Sequence, residues 1–140
     1  MNDAEKPVKK ILLVDDEPQI IELFSTLLRD AGYRAVTAGN GAEALGLYLY
    51  ARLHEPFDLM VLDVSMPRID GLQVLETVRK DEAERGITFG NGLPIIVLTA
   101  YKSTCMKSFN LGCDDYVIKP VQPETLLDKI RQKIGQSATA

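Results

Sequence analysis

Four short apolar runs punctuate the chain, each followed at once by a polar residue: Ile11–Val14, Phe57–Leu62, Ile95–Leu98 and Tyr116–Ile118. Runs of this length with almost no polar interruption predict strands buried on both faces, as in a parallel sheet. Between them the apolar spacing switches to the helical period. Ile20, Leu23, Phe24, Leu27, Leu28 and Ala31 predict a helix opened by Pro18 and stopped near Gly32. Proline lacks an N–H that a first turn would leave unused, and glycine suits the helix end. Tyr33–Ala38 predicts a further strand, polar enough for a sheet edge, and Asn40-Gly41 a turn. Ala42 to about Arg52 predicts a second helix, with Ala44, Leu45, Tyr48 and Leu49 on one side. A third runs from about Leu72 to Glu84, capped by Asp70.

Gly86–Leu93 carries three glycines and an asparagine and reads as an extended loop. A short fourth helix is expected over Thr104 to Leu111, stopped by Gly112. Pro123 opens a fifth, with Leu126, Leu127, Ile130 and Ile134 inward, and Gln136–Ala140 should fray. Strand alternates with helix five times. That order implies an α/β fold: a parallel sheet, helices on both faces and right-handed crossovers. A chain of 140 residues is one domain by default. No Gly-x-Gly-x-x-Gly follows the first strand and no Walker-type lysine loop occurs, so nucleotide-binding versions of this architecture lose ground.

Composition narrows the partners. Apolar content is 46%, charged content 26% and formal net charge −4, with a pI near 5.0. An acidic chain lacks the basic face that gripping nucleic acid needs, so no direct nucleic-acid binding is expected. No apolar stretch approaches the ~20 residues of a membrane span. The polar N-terminus has no signal-peptide core, and the expected location is the cytoplasm. Cys105 and Cys113 form no Cys-x-x-Cys pair and no zinc set; they read as reduced, partly buried thiols. His54 is the only histidine and reads as a lone surface residue, so any histidine chemistry comes from a partner.

The candidate chemistry lies at strand ends. Asp15 and Asp16 follow the first run, Asp63 the third strand, Thr99 the fourth and Lys119 the fifth. In a parallel sheet all five fall along the C-terminal edge, where open α/β sheets bind ligands. Clustered carboxylates repel and raise one another's pKa. A hard divalent cation or a lysine must join them. The set fits phosphoryl transfer to a carboxylate, with Asp as nucleophile, a metal and lysine for charge, and a threonine hydroxyl as donor.

These residues lie in blocks that resemble the response-regulator receiver domains of two-component signalling. The blocks are Leu13-Val14-Asp15-Asp16-Glu17-Pro18, Leu62-Asp63-Val64-Ser65-Met66-Pro67 with Asp70-Gly71, Leu98-Thr99-Ala100, and Gly112 through Pro120, in the family's order, across residues from about 9 to 135. The resemblance implies a flavodoxin-like strand order, 2-1-3-4-5, in a single receiver domain with flexible termini. It makes Asp63 the phosphoacceptor. It makes Asp15, Asp16, Asp63 and the backbone carbonyl of Ser65 the holders of Mg²⁺. Thr99 and Lys119 become the switch hydroxyl and phosphate-binding lysine, and Tyr116 the aromatic that follows Thr99. It further implies a cis Lys119-Pro120 bond. Ser65 and Tyr101 fall where the family tunes hydrolysis: Ser65 is too small to block water, while the Tyr101 ring could lie over the phosphoryl group.

Two departures from the family pattern stand out. The Gly86–Leu93 loop is longer than usual and reads as a tolerated insertion away from the chemistry. The Thr99 to Lys119 segment is about two residues shorter, which bears on the output face. The resemblance implies a switch phosphorylated by a sensor histidine kinase or histidine phosphotransfer protein and read by an unknown downstream protein, with self-phosphorylation and autodephosphorylation but no turnover enzyme activity. Two alternatives stay open: a Mg²⁺-dependent phosphohydrolase with an aspartyl-phosphate intermediate, and a receiver that is part of a longer transcription factor.

Overall fold

The computed structural model describes residues 8–88 and 90–135. The elements run β1 (Lys10–Val14), α1 (Pro18–Asp30), β2 (Arg34–Ala38), α2 (Gly41–Arg52), β3 (Leu59–Asp63), α3 (Gly71–Glu84), β4 (Ile95–Thr99), α4 (Lys102–Asn110), β5 (Asp115–Ile118) and α5 (Pro123–Ile134). The sheet is parallel throughout, in the order β2-β1-β3-β4-β5. Every residue of β1, β3 and β4 is buried, as continuous apolar runs require. β2 is the polar edge strand the sequence predicts.

Successive side chains of these strands point to opposite faces, and two apolar layers result. Leu12, Met60, Leu62, Ile95 and Val97 pack against α2 and α3. Ile11, Leu13, Leu59, Val61, Ile96 and Leu98 pack against α1 and α5. The two layers bury more than twenty-five side chains. At roughly 1.5–3 kcal/mol for each large aliphatic group, they are the main favourable term for folding.

Several local expectations need correction. Strand β3 starts at Leu59, not Phe57, and includes Asp63. Tyr33 precedes β2, and its hydroxyl donates to the Gly135 carbonyl at 2.8 Å. Helix α4 begins two residues earlier than predicted and ends at Asn110. Leu23 and Leu49, assigned inward by spacing, are 57% and 41% exposed. The other helix signals hold. Pro18 opens α1, Gly32 sits beyond its Ala31 C-cap at φ 92°, and Asp70 caps α3 in a reciprocal capping box with Gln73. The Lys119-Pro120 bond is cis. Both cysteines are free and buried, and His54 is exposed, its ring stacked on Tyr50 at 4.0 Å. The expected fraying of 136–140 lies outside the described residues.

The end of the sheet opposite the strand C-termini is fastened by polar networks. The Arg79 guanidinium on α3 donates to the Gly112 carbonyl, the Leu93 carbonyl, Glu82 and Asp114, all within 2.9 Å. Glu82, only 4% exposed, also accepts from the Leu93 N–H at 2.7 Å. The Gly86–Leu93 loop is therefore anchored at its C-terminal end. Gly92 lies flat on the Glu82 carboxylate, where a Cβ would come within 2.2 Å.

A second network holds α2 to α3. The Tyr48 hydroxyl donates to Asp81 and accepts from Arg85, each at 2.8 Å. Burial, reinforced by the bond to Asp81, pushes the Tyr48 phenol up to about 12, against the pull of Arg85. The unfolded chain then releases this proton near pH 10 while the folded chain keeps it. Stability from this group is complete below pH 10 and is lost as pH rises to about 12, by roughly 2–3 kcal/mol. Urea unfolding at pH 9 to 12 should show this loss in wild type, with a correspondingly shallower fall in Tyr48→Phe. Parallel profiles in the two proteins would refute it.

Candidate functional site at the C-terminal sheet edge

Strand register assembles the site. Val14 pairs with Leu62, so Asp15 and Asp63 come next on adjacent strands. Asp63 pairs with Leu98, one residue before Thr99, and Thr99 pairs with Ile118, one residue before Lys119. The ladder continues past the strand ends through Asp15 N–H to the Ala38 carbonyl, Val64 N–H to Leu98 and Lys119 N–H to Thr99. All five strand-end residues named from the sequence thus share one edge.

Lys119 Nζ donates to Asp63 Oδ1 at 2.8 Å. Lys119 is thus one of the two joiners that the sequence suggests. The same oxygen accepts from the Ser65 N–H at 3.3 Å. Asp15 and Asp63 are each 1% exposed, and each keeps one buried oxygen, Oδ2, without a hydrogen-bond partner. Burial pushes the Asp15 carboxyl up to about 6, with the Asp63 charge adding to it and the Glu17 N–H opposing it. Burial also raises Asp63, although the bond from Lys119 pulls it down. For Lys119, burial acts to lower the pKa, but the bond to Asp63 outweighs it and the ammonium is strengthened. This charge arrangement costs stability and is of the kind that marks functional sites.

Carboxylate oxygens of Asp15, Asp16 and Glu17 lie within 4.8 Å of one another, with Asp16 and Glu17 exposed. Glu17 is the residue that sequence reasoning missed. Its signal was visible, as the third acid in a row before Pro18. Asp63 stands outside that trio and is held by Lys119 instead.

The Thr99 hydroxyl, 2% exposed, bonds to the Tyr101 backbone, N–H at 3.2 Å and carbonyl at 3.4 Å, rather than to Asp63 or Lys119. Tyr101 itself is 65% exposed at the N-cap of α4. The half-buried Tyr116 ring meets Phe109 of α4 edge-on at 5.5 Å and has the Lys129 ammonium 5.3 Å above it.

Two glycines bring helices hard against the loop between β3 and α3. A Cβ on Gly71 would lie 2.3 Å from the Asp63 carbonyl oxygen, and one on Gly41 would lie 2.4 Å from the Ile69 carbonyl oxygen. Within the loop, exposed Arg68 holds a left-handed φ of 64°, uncommon for a residue with a Cβ.

Fold, register and edge together define a receiver. Residues 11–131 match the family model for the response regulator receiver domain, and the chain belongs to that family. A probable transcriptional regulator, ycf27, of Porphyra purpurea is 40% identical over 135 residues, covering 95% of this chain and 50% of the relative. The chain thus spans about half the length of the curated relatives it matches. Among solved structures, response regulator TrrA of Thermotoga maritima, in complex with Mg²⁺–BeF, is 36% identical, with a TM-score of 0.71 over 89% of this chain and 98% of that one. The receiver domain of Ssk1 from Saccharomyces cerevisiae, crystallised with the histidine phosphotransfer protein Ypd1, is represented by a match of 26% identity and TM-score 0.81, covering 91% and 90%. Among the described residues, no helix is long and apolar enough to cross a membrane.

Proposed function

We propose that this receiver takes a phosphoryl group onto Asp63 from the phosphohistidine of a sensor histidine kinase or a histidine phosphotransfer protein in the cytoplasm. The observation that carries this reading is the buried Asp63 at a strand end, one oxygen on Lys119 and the other without a partner. Attack by a carboxylate oxygen on phosphorus forms the O–P bond as the P–N bond breaks. The donor imidazole leaves with the electron pair and takes up a proton. The solved complex of Ssk1 with a phosphotransfer protein supports a donor of this kind.

The residues also fit Mg²⁺. Two buried carboxylate oxygens lack partners, and Asp16 and Glu17 add oxygens beside Asp15. Asp15, Asp16, Asp63 and the Ser65 carbonyl would hold the ion, which supplies charge neutralisation for the phosphoryl oxygens. The rest of the work belongs to the chain. Lys119 shifts from the carboxylate to a phosphoryl oxygen as a mobile point charge. Thr99 leaves the Tyr101 backbone and donates to another, and Tyr116 moves inward behind it. A two-state element thereby changes what the α4–β5–α5 surface presents to a downstream protein.

Hydrolysis of the aspartyl phosphate returns the switch. Ser65 and Tyr101 flank the path of water, and the Tyr101 ring slows it. Ser65 also stands where a phosphohydrolase would carry its second acid, so this chain autophosphorylates and autodephosphorylates without steady turnover.

With acetyl phosphate and Mg²⁺, intact mass should show one added phosphoryl group on wild type and none on Asp63→Ala. Asp16→Ala should lose metal binding and phosphorylation together. Labelling of Asp63→Ala at the wild-type level would overturn the assignment.

A further inference from the structure

Helix α2 lies on the surface yet is apolar nearly all the way round. Ala44, Tyr48 and Ala51 face the core. The side turned to solvent carries Ala42, Gly46, Leu49, Tyr50 and Leu53, with Tyr50 and Leu53 65% and 74% exposed. Surface helices ordinarily place charged residues there, and a helix apolar all round is ordinarily covered. Ala42, Gly46, Leu49 and Leu53 follow the four-three-four spacing of a coiled-coil seam.

Gly46 sharpens the point. Glycine is the worst helix former after proline, and this one sits mid-helix. A Cβ built on it meets nothing within 4 Å. No neighbour inside the described chain requires a glycine there, whereas a helix arriving from outside would.

We infer that this face pairs with the same face of a second copy of the chain, in an antiparallel, two-fold symmetric helix pair. In that arrangement every layer sets large on small: Leu49 of one copy over Gly46 of the other, and Leu53 over Ala42. A parallel pair would instead stack Gly46 on Gly46 and leave a gap. Arg52 turns away from this face, its guanidinium 3.2 Å from the Asp81 carboxylate on α3. Apart from Glu43 the outer face carries no charged side chain, so two chains of net charge −4 meet without like charges at the seam. One helix pair buries less than the ~1,600 Å² of a standard interface, so the dimer is weak and dissociates on dilution.

Sedimentation velocity on the 140-residue chain, from about 10 µM to about 1 mM, tests this, since dimers with micromolar to sub-millimolar dissociation constants register in that range. The weight-average mass of wild type should climb from the 15.5 kDa monomer toward twice that value. Gly46→Arg fills the space Leu49 needs and should weaken association at least tenfold. Its thermal midpoint should hold or rise, because arginine is the better helix former and the position is open. Leu53→Lys should weaken association likewise. A wild-type chain that stays monomeric at about 1 mM overturns the inference. So does association that survives both variants, or that yields only to Met106→Lys on the exposed face of α4.

Discussion

Gly71→Ala should lose about 3 kcal/mol of stability and, with it, most of its capacity to take up phosphate. The reason is space rather than backbone freedom. The added methyl would lie 2.3 Å from the Asp63 carbonyl oxygen and 2.8 Å from Val64 Cα. Backbone cannot step aside as a flexible side-chain end can. Either α3 moves off the sheet, thinning the layer of Val74, Leu75 and Val78, or the chain after Asp63 moves and turns the carboxylate away from Lys119. Overpacking a tight contact costs typically 1–3 kcal/mol, and a backbone clash sits at the upper end. For a domain near 150 residues that is a fall in Tm of roughly 10 °C. Calorimetry reads the first effect, and intact-mass phosphorylation below the new Tm reads the second. A Tm within a few degrees of wild type would mean that the loop yields.

Arg79→Ala should cost about 3–5 kcal/mol, although it lies at the far pole from the chemistry. The substitution removes four hydrogen bonds in one stroke and leaves Glu82, 4% exposed, with its charge uncompensated. Stranding a buried charge is costlier than removing a pair, so Arg79→Met combined with Glu82→Gln should lose less than the two single changes summed. Urea unfolding of the four proteins in this cycle measures it. Strict additivity would show that Arg79 acts through packing alone.

What could be read from sequence follows the physics of each element. Strands β1, β3 and β4 were plain because burial on both faces demands apolar residues along their length, and polar groups enter abruptly and only at their ends, as Lys10, Asp63 and Thr99 do. The same abruptness exposed Asp15, Asp16, Asp63, Thr99 and Lys119, since register does the rest. Helix α4 was blurred. It has nine residues, no side-chain cap at Tyr101 and few apolar positions, so its first turn left no mark. Leu23 and Leu49 were misplaced because periodicity locates a face but not its width. The Arg79 network was invisible. Its members span residues 79 to 114, and each alone looks like a solvated charge or an ordinary loop carbonyl. Nor can sequence separate Gly71, needed for a close approach, from a glycine that only follows a cap.

Helix α4 is held very differently at its two ends. At the far pole the Gly112 carbonyl is tied to Arg79, the Cys113 N–H bonds to the Ser108 carbonyl, and Ser108 is fully buried. Near the reactive edge, the Tyr101 N–H that begins the helix rests on the Thr99 hydroxyl. That hydroxyl is the group a phosphoryl on Asp63 would draw away. With its fulcrum at the opposite pole and its latch beside the acceptor, the helix would act as a lever on phosphorylation: releasing the latch would give Tyr101 the longest stroke, Met106 an intermediate one and Gly112 almost none, so that an event the size of one hydrogen bond would become a graded tilt across a whole face.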